Sequence, residues 1–274
     1  MTEIPTAAAP ASAPLPPLST TVAGAPGGPG ILLAHGATGS VRSNFAALIP
    51  ALAASGHRVV APDYPGSGET PCADGPLELD ALADAMVDEA IEAGLETFTV
   101  VGYSMGTAVA VRAAARHPGR VRGLVLTAGL AKADARTRVW IDLWQRLLAR
   151  ADHAGFAQAR ALSGIAPGYF NALTPAERAA ALDPDPTLPP AGSAAQIALV
   201  GRLDTTADLP DIAVPTLVIA TTEDQLLHPD HSRRLADHIP GATYAELATG
   251  HLPMVERPQE WQQLIADFLA EHGL

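Results

Sequence analysis

Apolar runs and amphipathic stretches alternate through the first half of the chain. Ile31-Leu32-Leu33-Ala34, bounded by Pro29-Gly30 and His35-Gly36, has the length and apolarity of a fully buried strand. Residues 42–54 carry Phe45, Leu48, Ile49 and Leu52 at helical spacing, and Gly56 supplies a stop. Arg58-Val59-Val60-Ala61 predicts a second strand. A helix follows over 76–93, with Leu79, Leu82, Met86, Ala90 and Ile91 along one side. Thr97–Gly102 predicts a third strand, Ser104–His117 a small-residue helix and Val121–Thr127 a fourth strand. This alternation predicts an α/β fold with a mainly parallel sheet and helices on both faces. Ligands in such folds bind at the carboxyl ends of the strands.

The alternation stops between Leu130 and Pro210. Helical patterns cover 134–152, 154–163, 174–182 and 190–208, with Trp140, Leu143, Trp144 and Leu147 forming a stripe. Pro184, Pro186, Pro189 and Pro190 interrupt them, and Ala166-Pro167-Gly168-Tyr169-Phe170 predicts a loop. Strand and helix resume with strands at 214–220 and 242–247 and helices at 229–238 and 257–271. Residues 1–28, rich in Ala, Pro, Ser and Thr, read as a low-complexity tail with at most an edge strand near Ser19–Ala23. The predicted organisation is a tail (1–28), a first core part (29–130), an inserted helical cap (131–210) and a second core part (211–274).

The 274 residues are 48% hydrophobic, enough for a full core without metals or disulfides. A formal charge of −12 and no run of Lys or Arg argue against nucleic acid or an anionic membrane as partner. The one cysteine, Cys72, lies in a turn-like stretch and reads as an incidental thiol. No stretch approaches the ~20 apolar residues that cross a bilayer. The N-terminus lacks the basic region of a signal peptide, so the expected location is the cytoplasm.

The sharpest chemical signal is Gly102-Tyr103-Ser104-Met105-Gly106, between a predicted strand and a predicted helix. This is the G-x-S-x-G nucleophile elbow in its required context: the tight turn needs small residues at its ends and holds the hydroxyl outward. A serine hydroxyl needs a base, and the base an orienting carboxylate. His251, just past the last strand, is the base expected. His57, His117, His153 and His272 are less well placed, and His228, His231 and His238 read as solvated. Asp224, directly after strand 214–220, is the carboxylate expected, with Glu223 and Asp134 as rivals. The order Ser…Asp…His is the one this fold uses. His35-Gly36-Ala37 follows the first strong strand. There the Ala37 amide, with that of Met105, would form an oxyanion hole, while His35 orders the loop.

Together the segments HGATGSVRSNF (35–45), DYPGSGET (63–70), GYSMG (102–106), TEDQLLHP (222–229) and GHLPMVERP (250–258) resemble the α/β-hydrolase superfamily in its cap-bearing, serine-nucleophile branch. The resemblance implies Ser104 as nucleophile, His251 as base, Asp224 as its partner, and Ala37 and Met105 as amide donors. It makes Asp63 and Gly66-Ser67-Gly68 a structural turn. Relatives with dehalogenase or epoxide-hydrolase chemistry carry Asp where Ser104 stands, which disfavours those reactions.

The expected reaction is hydrolysis of a carboxylic ester or lactone of a bulky, largely apolar small molecule through an acyl-enzyme, with no metal or organic cofactor. Trp140, Trp144, Phe156, Tyr169 and Phe170 of the cap are expected around the substrate. From the core, Met105, Leu130, Leu226, Leu252 and Met254 are expected. No cationic clamp stands out beyond Arg42 and Arg138. Alternatives on the same fold are C–C hydrolysis of a dienone acid, suggested by Ser43-Asn44-Phe45, and acyl transfer or cyclisation under a water-excluding cap. A non-catalytic binding protein is the third. The Ala- and Pro-rich composition associates the chain with secondary metabolism. Oligomeric state is left open.

Overall fold

The computed structural model describes residues 14–182 and 189–274; the start of the Ala/Pro tail, and Pro184 and Pro186, lie outside them. Among these residues the strands are β1 (Thr20–Ala23), β2 (Gly30–Ala34), β3 (Arg58–Pro62), β4 (Phe98–Tyr103), β5 (Val121–Thr127), β6 (Thr216–Thr221) and β7 (Thr243–Leu247). They form one sheet in the order β1-β3-β2-β4-β5-β6-β7. Only β1 runs antiparallel, against β3; every other pair is parallel.

Parallel strands covered on both faces must be apolar on both, and the central strands are: β4 and β6 are buried along their whole length. Successive residues serve opposite layers. Leu32, Val100 and Leu124 pack with Leu82, Met86, Val109 and Leu235. Ile31, Leu33, Val101 and Val125 pack with Phe45, Leu48, Trp261, Ile265 and Phe268.

The helices of the first half are α1 (Val41–Phe45), α2 (Leu48–Ala54), α3 (Leu79–Glu92) and α4 (Met105–Arg116). Between β5 and β6 come α5 (Ala135–Ala149), α6 (His153–Gly164), α7 (Pro167–Ala172), α8 (Pro175–Leu182) and α9 (Ser193–Arg202), then a 3-10 turn at Leu209–Asp211. The chain closes with α10 (Asp230–His238), α11 (Pro253–Glu256) and α12 (Pro258–His272). The inserted helices have their own small core of Trp144, Phe156, Ala159 and Ile197.

Three local expectations are corrected. The helix predicted over 42–54 is two helices, because Pro50 has no N–H to donate back to Ala46. The loop predicted at 166–170 is mostly α7, which Pro167 starts from a position where its missing N–H costs nothing. The helix predicted over 190–208 is shorter, ending at Arg202 where Asp204 pairs with Lys132. Among the described residues no helix is long and apolar enough to cross a membrane.

Candidate active site

The turn from β4 into α4 carries Ser104 at φ 54°, ψ −121°. This is a left-handed conformation that an ordinary residue avoids. The flanking glycines permit it: a Cβ at Gly102 would lie 2.5 Å from the Gly106 carbonyl oxygen, and one at Gly106 would overlap the Ala34 carbonyl. The Ser104 amide donates to the Thr127 carbonyl at 2.9 Å, locking the turn to β5.

Ser104 Oγ lies 2.9 Å from His251 Nε2, and His251 Nδ1 lies 2.6 Å from Asp224 Oδ2. All three residues are buried. Asp224 is fixed by the tight turn after β6: its Oδ1 accepts the amides of Leu226 and Leu227 at 2.8 and 2.9 Å, and its Oδ2 accepts Thr221 Oγ1 at 3.1 Å. An acceptor-only group with four donors is a carboxylate, so the Nδ1 of His251 carries the proton that meets it. His251 Nε2 is then free to accept from Ser104. The rivals point elsewhere. Glu223 is exposed, and Asp134 caps α5 and pairs with His231 at 3.2 Å.

The loop after β2 passes beside Ser104. Among the described residues neither the Ala37 nor the Met105 amide has an acceptor, whereas the amides on either side of Ala37 do: Gly36 donates to Asn44 Oδ1 at 2.9 Å and Thr38 to Gln196 Oε1 at 2.8 Å. His35 is wholly buried, donates through Nδ1 to the Gly36 carbonyl at 2.8 Å and accepts the Tyr64 amide at Nε2 at 3.0 Å. Burial holds its pKa down to about 4, so it stays neutral and serves the loop.

Two further residues position the site without having been singled out in the sequence. Tyr103 donates its hydroxyl to the His251 carbonyl at 2.8 Å, and its burial pushes its pKa well up. Glu256 accepts the Gly250 amide at 3.0 Å and the Ala166 amide at 3.2 Å, joining the His251 loop to the inserted helices. Burial raises its pKa, against the pull of those two amides.

A cavity of about 410 Å³ opens over Ser104 and His251. Of the residues expected around a substrate, Trp140, Trp144, Phe156, Leu226, Leu252 and Met254 line this cavity. Leu130, Tyr169, Phe170 and the Met105 side chain are not among its lining residues. Leu130 and Met105 are packed into the core beneath the sheet's helices. Tyr169 is turned toward the Val255 carbonyl, 3.4 Å away. Aromatic character marked these positions, and it carries no information about direction. His231, read as solvated, is buried beside Asp134 and Thr137. Arg42 and Arg138 are exposed outside the cavity, but Arg160 is in its wall.

A family model described as alpha/beta hydrolase fold matches residues 29–258. Pyrrolizixenacetamide deacetylase of Xenorhabdus hominickii is 34% identical over 244 residues, covering 88% of this chain and 91% of its own. Among solved structures, the enol-lactonase from Burkholderia xenovorans superposes with a TM-score of 0.82 at 25% identity, covering 92% of this chain and 96% of that one. A thermophilic esterase from Thermogutta terrifontis does so with a TM-score of 0.80 at 26% identity, covering 93% of each chain.

Proposed function

Because this chain belongs to the α/β-hydrolase fold family, we propose that it is a serine hydrolase cleaving the ester or lactone of a largely apolar small molecule through an acyl-enzyme. The observation that carries this reading is the unbroken hydrogen-bonded line from Ser104 Oγ through His251 to Asp224, at 2.9 and 2.6 Å, at the floor of a largely apolar cavity.

Ser104 Oγ attacks the carbonyl carbon while His251 Nε2 takes its proton. Negative charge moves to the carbonyl oxygen, where the unused amides of Ala37 and Met105 receive it. His251 returns the proton to the leaving oxygen as the C–O bond breaks. A water then repeats the sequence on the acyl-enzyme and releases the acid. Asp224 holds the tautomer and stabilises the imidazolium.

A cavity of about 410 Å³, walled by Trp140, Trp144, Phe156 and Leu252, suits a small organic molecule with an apolar body. The likeness to an enol-lactonase and an esterase supports C–O cleavage. A second reading is amide deacylation, favoured by the 34% identity to a deacetylase named for an acetamide. The same attack applies, with the proton from His251 going to nitrogen.

The test is intact mass after exposure to a fluorophosphonate and to a panel of aryl esters, lactones and acetamides. The reading expects one covalent adduct on the wild-type protein and none on Ser104→Ala. An adduct that persists on Ser104→Ala would overturn it, and the substrate with the fastest turnover decides between oxygen and nitrogen leaving groups.

A further inference from the structure

Helix α6 lays one face along the cavity. His153, Phe156, Ala157, Arg160, Ala161 and Gly164 all line it, at the 3-1-3-1-3 intervals of one helical stripe. Five of the six are small, aromatic or able to be neutral. Arg160 is none of these. Its guanidinium is always charged and offers five donors and no acceptor.

Among the described residues Arg160 forms no ion pair and donates no side-chain hydrogen bond, and the one arginine lying over an aromatic ring is Arg233, at Tyr244. Among the described residues no other Lys or Arg lines the cavity, and no Asp or Glu does either. This holds in a chain with 29 acidic and 17 basic residues. An arginine left unpaired on such a protein therefore reflects its placement rather than a shortage of carboxylates.

Its place near the reacting centre follows from the cavity wall it shares with Tyr103, Ser104 and His251. The Tyr103 hydroxyl is itself bonded to the His251 carbonyl at 2.8 Å. Arg160 is half-buried, and desolvation disfavours its charged guanidinium against a smaller opposing effect of Tyr103. A partly desolvated cation without a partner is unfavourable, and a planar fork of donors is matched best by a carboxylate.

We propose that Arg160 receives a carboxylate of the substrate, so that the preferred ester, lactone or amide has an apolar body and one free carboxylate. The carboxylate takes no part in bond making or breaking. It fixes which end of the molecule reaches Ser104, while the Trp144, Phe156 and Ile197 side holds the apolar body. The inference rests on the cavity being the substrate site of the hydrolase read above, but its test requires no turnover.

Ser104→Ala protein, lacking the attacking oxygen, is titrated by calorimetry with ω-phenyl carboxylates from phenylacetate to 5-phenylvalerate. The primary amides of the same skeletons serve as neutral controls. At one or more chain lengths the carboxylate should bind at least tenfold more tightly than its amide. Arg160→Met in the same background should collapse that ratio to near one, and Arg160→Lys should retain part of it. Carboxylates that bind no better than amides at every length overturn the proposal using the native side chain alone, so a misfolded variant cannot mask the result. A ratio that survives in Arg160→Met overturns it equally. Fluorophosphonate labelling of the wild-type protein is read separately. Loss of labelling with the ratio intact removes the hydrolase and leaves the carboxylate site standing; labelling with no ratio does the reverse.

Discussion

Gln196 of α9 accepts the Thr38 amide at 2.8 Å, so a side chain from the inserted helices fixes the loop that passes beside the Ser104 hydroxyl. Thr38 sits at φ 62°, a left-handed conformation unfavourable for a β-branched residue, and the loop needs that external hold. The other end of Gln196 donates to Ser67 Oγ at 2.8 Å and to the Pro65 carbonyl at 3.2 Å, and Ser67 donates onward to the Gly39 carbonyl at 2.8 Å. The loop that carries Ala37 is therefore held by a buried network that spans core and cap.

Gln196→Leu roughly keeps the volume and removes the three bonds that Gln196 makes, to Thr38, Pro65 and Ser67. Leaving several buried polar groups unpaired costs about 2–4 kcal/mol of stability. Because the loop presents the amide to charge that develops only in the transition state, kcat should fall about tenfold or more with KM little changed. Gln196→Glu keeps the acceptor for Thr38 and should recover part of kcat. Denaturant melts and steady-state kinetics check both; an equal rise in KM with kcat unchanged would place Gln196 in substrate binding instead.

Gly250 makes the second link between cap and core. A Cβ there would overlap the Ala166 amide nitrogen and lie 2.6 Å from the Gly164 carbonyl oxygen. Gly250→Ala must push α6 and the His251 loop apart, which costs about 1–3 kcal/mol by overpacking. The displacement falls one residue from His251, so labelling of Ser104 by a fluorophosphonate should slow by about tenfold or more. A variant that melts lower but labels at the wild-type rate would show that the contact serves stability alone.

The contrast between what these residues do and how they look in the sequence has a physical basis. Ser104 and Asp224 follow fully buried strands and His251 follows the last strand of the sheet, and strand ends are places where the chain pattern itself fixes position. Apolar runs such as Ile31-Leu32-Leu33-Ala34 marked the sheet for the same reason. Gln196 and Glu256 are polar residues on helices, a pattern that usually marks a solvated face, and only tertiary packing reveals that they are buried or bridging. Tyr169 and Phe170 erred the other way, because a loop-like Pro-Gly segment gave no face to assign. Arg160 left a trace: it interrupts the stripe of Phe156, Ala157, Ala161 and Gly164, and a charge on an inward stripe calls for a partner.

His35 predicts a pH dependence. Its folded pKa is about 4 against an ordinary 6.5, because burial disfavours the imidazolium. Between those values the unfolded chain binds a proton that the folded chain refuses. The stability from this group is fully present above pH 6.5 and is lost as pH falls toward 4, by about 3 kcal/mol. Glutamine can donate to the Gly36 carbonyl and accept the Tyr64 amide without titrating. The stability gap between wild type and His35→Gln should therefore shrink by about 3 kcal/mol from pH 7 to pH 4, read from urea melts at each pH. A pH-independent gap would mean that His35 is protonated in the folded state.

Asp224→Asn isolates the tautomer argument. The carboxylate accepts from Leu226, Leu227, Thr221 and His251, and every one of these is a donor. The amide nitrogen of asparagine cannot accept, so at least one bond is lost. If the oxygen stays on the Leu226 and Leu227 amides, the new N–H₂ faces His251 Nδ1. Nδ1 must then give up its proton and accept, and the proton moves to Nε2, where it blocks removal of the Ser104 proton. The expected loss in kcat is about 10⁴-fold, with Ser104 still in place and the fold intact. Because the block is a protonation state rather than a missing group, raising the pH should recover activity as hydroxide removes the Ser104 proton in place of the imidazole. A pH–rate profile on wild type and Asp224→Asn decides it: a variant whose profile rises with pH supports tautomer control, and one that is uniformly depressed at every pH means that the turn after β6 has moved and taken His251 with it.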